Sequence, residues 1–104
     1  MTQFEAFANP VARARASYAF VVVLQADVAR GCHARAVAPV APRAAFAAVA
    51  GRLTPIMAIE RNELVLLVTS VTTIPVQSLG RAVASLADRR DDILAAIDYL
   101  FFGV

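Results

Sequence analysis

The side chains that could perform covalent or metal chemistry are few in this sequence. It contains one histidine, one cysteine and four serines, and the cysteine and the histidine are the neighbours Cys32 and His33. A thiol beside an imidazole could act as a nucleophile with its base, but adjacent strand residues point to opposite faces, and no carboxylate is placed to orient the imidazole in a loop. Two potential ligands are also too few for a metal site, which needs roughly three or four. We therefore expect no catalytic residue, no metal and no enzymatic activity.

Four aspartates near the carboxyl end could form an acid–base pair or a metal cluster, namely Asp88, Asp91, Asp92 and Asp98. They could equally form the first turn and the exposed face of a helix, where carboxylates interact favourably with the helix dipole, and we favour this interpretation. The four glycines, at positions 31, 51, 80 and 103, lack the spacing of a phosphate-binding loop. No cofactor is therefore predicted.

The last segment of the chain is predicted to be a helix from about Asp88 to Phe101. Asp88 is a favourable N-cap, and Gly103 is suited to end the helix. Apolar residues recur at spacings of three and four and predict one buried stripe, formed by Ile93, Leu94, Ile97, Leu100 and Phe101. Phe102 lies about 100° further round the helix, outside that stripe. It is either an exposed contact residue or packs beneath a loop or a dimer partner.

The remainder of the sequence predicts short strands. The expected strands are Gln3–Ala8, Tyr18–Leu24, Ala36–Val40, Pro55–Ile59 and Leu64–Thr69. Because Pro39 cannot donate a backbone hydrogen bond, its strand is expected at an edge or at a bulge. Pro42–Arg52 predicts a short helix, and Glu60–Glu63 predicts a hairpin turn. Together these elements indicate an α+β fold.

Composition limits the classes of protein to which the chain can belong. Its 104 residues predict one domain over residues 1–104, and 60% hydrophobic residues are incompatible with disorder. No apolar run approaches the roughly 18 residues of a membrane span, and Gln25 and Asp27 stand where a secretory signal would be cleaved. The net charge is only +2 and the arginines are scattered, so no nucleic-acid patch is indicated. We expect a cytoplasmic protein whose surplus apolar surface is buried in a homodimer.

The segment Asp88–Val104, preceded by Ile74-Pro75-Val76 and Leu79-Gly80, resembles the C-terminal third of the CcdB toxin family. That family ends in a helix of pattern R-x-(N/D)-(D/E)-I-x-x-A-I, followed by an aromatic residue, a glycine and an isoleucine. The matching residues are Arg89, Asp91, Asp92, Ile93, Ala96, Ile97, Phe102, Gly103 and Val104. Earlier segments are also similar to the family's strands, namely Gln3-Phe4, Val23–Val28, Arg35 with Val37 and Pro39, and Pro55 with Ile59.

The resemblance implies a fold and a mode of action. The fold would be a small SH3-like β-barrel, or antiparallel sheet, with a C-terminal helix, in a cytoplasmic homodimer. The protein would bind the A subunit of DNA gyrase and trap the cleaved DNA complex. A CcdA-like antitoxin would neutralise it, and the two proteins together would bind their operator DNA. The gyrase-binding residues carried over from the family are Phe102, Gly103, Val104, Phe101, Asp98, Val28 and Ala29.

Three of these positions depart from the family pattern. Phe102 replaces a tryptophan whose larger face can stack on an arginine of gyrase, Asp98 replaces an amide, and Ala29 replaces a larger aliphatic residue. Two alternative functions therefore stay open. One is an endoribonuclease toxin like the MazF enzymes, which share this barrel. The other is an inactive, toxin-derived protein that only binds the antitoxin.

Overall fold

The computed structural model describes residues 3–25, 33–43 and 53–103, which form seven strands and one α-helix. The strands are β1 (Glu5–Ala8), β2 (Phe20–Val23), β3 (Ala34–Pro42), β4 (Ile56–Ile59), β5 (Asn62–Leu66), β6 (Thr72–Pro75) and β7 (Ala82–Ser85). The helix α1 (Arg90–Phe102) is the last element, and Gly103 is the one described residue that follows it. The predicted strands are confirmed with different bounds: β1, β2 and β4 are shorter than predicted, whereas β3 extends beyond Ala36–Val40 at both ends.

All strand pairs are antiparallel and belong to one curled sheet. The order of the strands is β4-β5-β3-β2-β1-β7, and β6 pairs with β3 beside β5. The curled sheet forms half of a small barrel, and α1 packs across one of its faces. The α+β class and the small antiparallel barrel with a C-terminal helix are therefore confirmed.

Pro39 lies in an interior strand, where the sequence predicts an edge or a bulge. β3 pairs with β2 along one side, where Pro39 is opposite Val21. On its other side β3 changes partner, because residues 34–37 pair with β6 and residues 40–42 pair with β5. Pro39 occupies the gap between these two partners, and its carbonyl accepts the backbone N–H of Leu67 at 3.0 Å. A residue without an N–H is tolerated there because the ladder is already interrupted.

The hairpin of β4 and β5 turns more tightly than the four-residue link that the sequence predicts. Only Glu60 and Arg61 lie between the strands, and both adopt left-handed φ angles, of 52° and 68°. Two consecutive left-handed residues are typical of a type I′ turn, whose twist matches that of the flanking strands. Asn62 and Glu63 consequently belong to β5.

The sheet buries apolar side chains on both faces. One face carries Val22, Val40 and Leu66 beneath Ile93 and Ala96 of α1. The opposite face holds a second cluster, whose members are Phe7, Val21, Val23, Val37, Ile74 and Leu79. Burial on both faces explains why the predicted second strand is continuously apolar and does not alternate.

Two further expectations need correction. The predicted helix Pro42–Arg52 cannot begin at Pro42, because Pro42 pairs with Leu64 at the end of β3. Arg43 directly follows β3, and the remaining residues of that prediction, 44–52, lie outside the described residues. Strands β6 and β7 were not predicted, because β6 contains Pro75 and the AVAS sequence of β7 has a single β-branched residue, Val83, whose side chain is exposed.

Candidate partner-binding site

The helix α1 is anchored to the sheet by a narrow line of side chains in its first two turns. Ile93 and Ala96 are fully buried, and Leu94 and Ile97 are partly buried against the same cluster. The methyl group of Ala96 is small enough for the helix backbone to approach the sheet closely. The short turn Val68–Ser70 also contacts α1. This packing fixes the direction in which the end of the helix leaves the sheet.

The start of α1 differs from the prediction in its capping. Asp88 belongs to a 3-10 turn, Ala87–Arg89, and the N-cap residue is Arg89, without a side-chain cap. The Arg89 guanidinium donates to the Ile56 carbonyl at 3.0 Å and pairs with Asp92 at 2.8 Å. Asp91 and Asp92 occupy the first turn, as predicted, where they face the positive end of the helix dipole. A side-chain bridge to edge strand β4 thus replaces the expected cap.

Gly103 ends the helix as predicted. Its φ of 72° and ψ of 17° are left-handed, and its N–H donates to the Tyr99 carbonyl at 3.0 Å. A residue with a Cβ adopts this conformation only at an energetic cost, which glycine avoids. The helix therefore stays regular through Phe102, and the side chain of Phe102 is held on an ordered turn.

The last turn of α1 is exposed, and the prediction that Leu100 and Phe101 belong to the core is wrong. Leu100 is 36% exposed, Phe101 is 69% exposed and Phe102 is 74% exposed. The fully buried residues of α1 end at Ala96, so the last turn has no sheet residues beneath it that bury it completely. Sequence periodicity specifies which residues share a face, but it does not specify how far the opposing sheet extends. Asp98 is exposed as well.

An apolar groove lies between the end of α1 and the sheet. Its volume is about 260 Å³, and it is lined by Leu24, Gln25, Ala36, Val68, Val71, Ile97, Leu100 and Phe101. The amide oxygen of Gln25 accepts the backbone N–H of Ala36 at 3.0 Å, so this polar atom is already paired. The groove therefore offers mainly hydrocarbon to a ligand. The sequence pattern does not indicate this groove, because Val68 and Val71 are far from α1 in the sequence.

Phe101 and Phe102 are neighbours in the sequence but belong to different surfaces. Phe101 lines the groove, whereas Phe102 does not line it. Four of the predicted site residues lie at the end of α1: Asp98, Phe101 and Phe102 are on its last turns, and Gly103 is its C-cap. The others, Val28, Ala29 and Val104, lie outside the described residues, and their predicted roles stay predictions.

The described residues offer few groups that could bind a metal ion or act in catalysis near this surface. Within residues 3–25, 33–43 and 53–103, no group of three His, Cys, Asp or Glu side chains is placed to hold a metal ion. His33 is exposed, and Cys32 lies outside the described residues. Over the same part of the chain, no helix combines the length and apolarity needed to cross a membrane. The site is an exposed aromatic surface on the last turn of α1.

One protein family matches almost the entire chain. The model of the family described as CcdB protein aligns with residues 3–103 of the 104 residues. A comparison with curated proteins finds no match. The family match includes every described element, from β1 to α1, and includes the candidate site except Val104.

Proposed function

The chain belongs to the CcdB family of toxins from toxin–antitoxin systems, and from this premise we propose that it binds the A subunit of DNA gyrase and traps the cleaved DNA complex. In this proposal the protein has no catalytic activity of its own. It acts by occupying a surface of gyrase with the last turns of α1. The cytoplasm, where gyrase works on DNA, is its proposed location.

The exposure of Phe102 is the observation that carries this proposal. An aromatic side chain that is 74% exposed contributes little to the fold, yet Phe102 stands on the last regular turn of α1, which the Gly103 cap ends. Aromatic anchors are common among the few residues that dominate the binding energy of protein interfaces. Asp98, one turn earlier and also exposed, extends this surface with a negative charge.

The apolar groove supports a proposed homodimer. Phe101, Leu100 and Val71 line it and are among the exposed large apolar residues of the described chain. A symmetric interface would bury these side chains and remove them from water. We place the dimer interface on this groove, so that Phe102 of each copy stays available to gyrase.

The proposed partners other than gyrase follow from membership of the family. A CcdA-like antitoxin would neutralise the toxin, and toxin and antitoxin together would bind their operator DNA. A disordered antitoxin segment that folds on the toxin would gain its affinity from a few apolar anchors. The toxin alone is not proposed to bind the operator.

A gyrase cleavage assay tests the central proposal. Purified protein should make gyrase accumulate linear DNA from a supercoiled plasmid, and Phe102→Ala should reduce this accumulation. Degradation of RNA by the purified protein would instead identify the endoribonuclease alternative. If the protein binds its antitoxin but produces no linear DNA and degrades no RNA, it is an inactive antitoxin-binding protein, and the proposal is refuted.

A further inference from the structure

The start of α1 is held to the sheet from two sides. The strand order places β4 at one edge of the curled sheet and β7 at the other. The chain leaves β7 through Leu86, whose backbone N–H donates to the Phe4 carbonyl at 2.8 Å, and the Arg89 N–H donates to the Leu86 carbonyl at 2.9 Å. These bonds fix the backbone of Arg89 relative to the edge that contains β1 and β7.

The side chain of Arg89 reaches the opposite edge of the sheet. Its Nη2 donates to the Ile56 carbonyl of β4 at 3.0 Å and pairs with the Asp92 carboxylate at 2.8 Å. A guanidinium holds its donors in one rigid plane, so two acceptors restrict its orientation more closely than a single one would. Arg89 therefore links the two edges of the half-barrel at the point where α1 begins.

This bridge contributes little to the stability of the fold. The side chains of Arg89 and Asp92 are 43% and 55% exposed, and an ion pair at such exposure is weakened by water and salt. The effect of the bridge on the direction of α1 is larger, because the fully buried residues of the helix are Ile93 and Ala96, within one turn of each other. A helix that is buried along one turn can tilt unless a second point holds it.

A small tilt of α1 would displace Phe102 appreciably. Phe102 lies six residues beyond Ala96, which is about 9 Å along the helix. A tilt of roughly 10° about Ile93 and Ala96 would move it by about 1.5 Å, whereas the groups of a binding site need to be held within about 0.5 Å. Arg89 itself is about 20 Å from Phe102 along the helix, too far for both to contact one side chain of a partner.

We propose that Arg89 is a positioning residue for gyrase binding, which sets the direction of α1 through its hydrogen bond to Ile56 and does not itself contact gyrase. The inference rests on the proposed function for the identity of the partner. Without the bridge, α1 samples a range of directions, and the apparent affinity falls with the fraction of molecules in which Phe102 is correctly placed. The bond to β4 is the important one, because the pair with Asp92 joins residues of one turn and cannot orient the helix against the sheet.

The test compares Arg89→Gln, Asp92→Asn and, as the matched control, Arg90→Gln. Arg90 is exposed and forms no ion pair with the described residues. Residual dipolar couplings of the backbone amides, measured by NMR without gyrase, report the direction of α1 relative to the sheet. A titration onto the gyrase A subunit gives the affinity of the same samples.

Arg89→Gln should alter the couplings of α1 and leave those of the sheet unchanged. It should also weaken gyrase binding about fivefold, which corresponds to a correctly placed fraction of about one fifth. Asp92→Asn retains the bond between Arg89 and Ile56, so it should weaken gyrase binding by less than about twofold. Arg90→Gln should change neither the couplings nor the affinity.

Three results would overturn the proposal. Unchanged couplings in Arg89→Gln would show that the bridge does not direct α1. Equal effects of Arg89→Gln and Asp92→Asn would assign the role to the ion pair within the turn, and altered couplings with full gyrase affinity would show that the direction of α1 does not position the gyrase surface. Thermal melting verifies that each variant is folded. If the unmodified protein does not bind gyrase, the proposed function fails, and the couplings still decide whether Arg89 directs α1.

Discussion

Phe102 is the residue at which an effect on gyrase binding can best be distinguished from an effect on the stability of the fold. Its side chain is 74% exposed, so removing it should change the free energy of unfolding by no more than about 0.5 kcal/mol. As an interface anchor it should contribute about 2 kcal/mol, so Phe102→Ala should weaken gyrase binding roughly thirtyfold. Phe102→Trp should strengthen binding, because indole offers a larger face to a cation.

The affinity of both Phe102 variants for gyrase is measured by titrating them onto immobilised gyrase A subunit. Val83→Ala is the control. Val83 is an exposed apolar residue of β7, so Val83→Ala removes a smaller area of exposed apolar surface at a place away from α1. Unchanged affinity of Phe102→Ala beside a normal melting temperature would show that the carried-over site is wrong.

Gly103 should affect gyrase binding through its backbone conformation, because it ends the turn of α1 that carries Phe102. A Cβ at this position meets no atom within 4 Å, so Gly103→Ala changes only the cost of the left-handed φ of 72°. That cost is about 1 kcal/mol, which should raise amide exchange at residue 103 about fivefold and weaken gyrase binding by a similar factor. Gly80→Ala is the matched control, since its Cβ also meets no atom within 4 Å. Equal exchange in the two variants would show that the cap does not hold the last turn.

At the scale of single elements, α1 shows how far sequence patterns are informative. The periodicity and the glycine predicted the helix and its end, because both depend on local interactions. The pattern did not predict that Leu100 and Phe101 are exposed, since this depends on where the sheet stops. It also gave no signal for Ala96, whose full burial depends on how closely α1 approaches the sheet. Likewise β7 pairs with β1 across most of the chain, and its four residues carry little local propensity.

Ala96 should consequently be the position where α1 least tolerates a larger side chain. Ala96→Leu would force the helix away from the sheet and should destabilise the fold by about 1–3 kcal/mol. Ala95→Leu is the matched control, since Ala95 is adjacent on the helix but exposed, and it should be nearly neutral. Urea unfolding measures both variants. A destabilisation that is equal at the two positions would contradict the packing of α1 described above.

At the scale of the whole molecule, the end of α1 would have to contact two partners, namely gyrase and the second copy of the chain. Phe101 lines the apolar groove and Phe102 lies about 100° away on the same turn, so the two surfaces are adjacent yet distinct. A dimer that covers the groove would hide Phe101 and leave Phe102 exposed. The family resemblance predicted the residues of this surface, but only the structure separates them into two groups. Sequence alone could not do so, because Leu24, Ala36 and Val71 join the groove through tertiary contacts.

The two surfaces can be separated by placing the same charge on each. Phe101→Glu should give a monomer at micromolar concentration, because a carboxylate buried in an apolar interface is strongly unfavourable. Phe102→Glu should remain a dimer and lose gyrase binding. Since Phe101 is 69% exposed and Phe102 is 74% exposed, both variants should melt close to the unmodified protein. Light scattering measures the mass, and the gyrase titration is run on the same samples. If both variants stay dimeric, the interface does not use the groove; if both become monomeric, Phe102 belongs to the dimer and not to a separate gyrase surface.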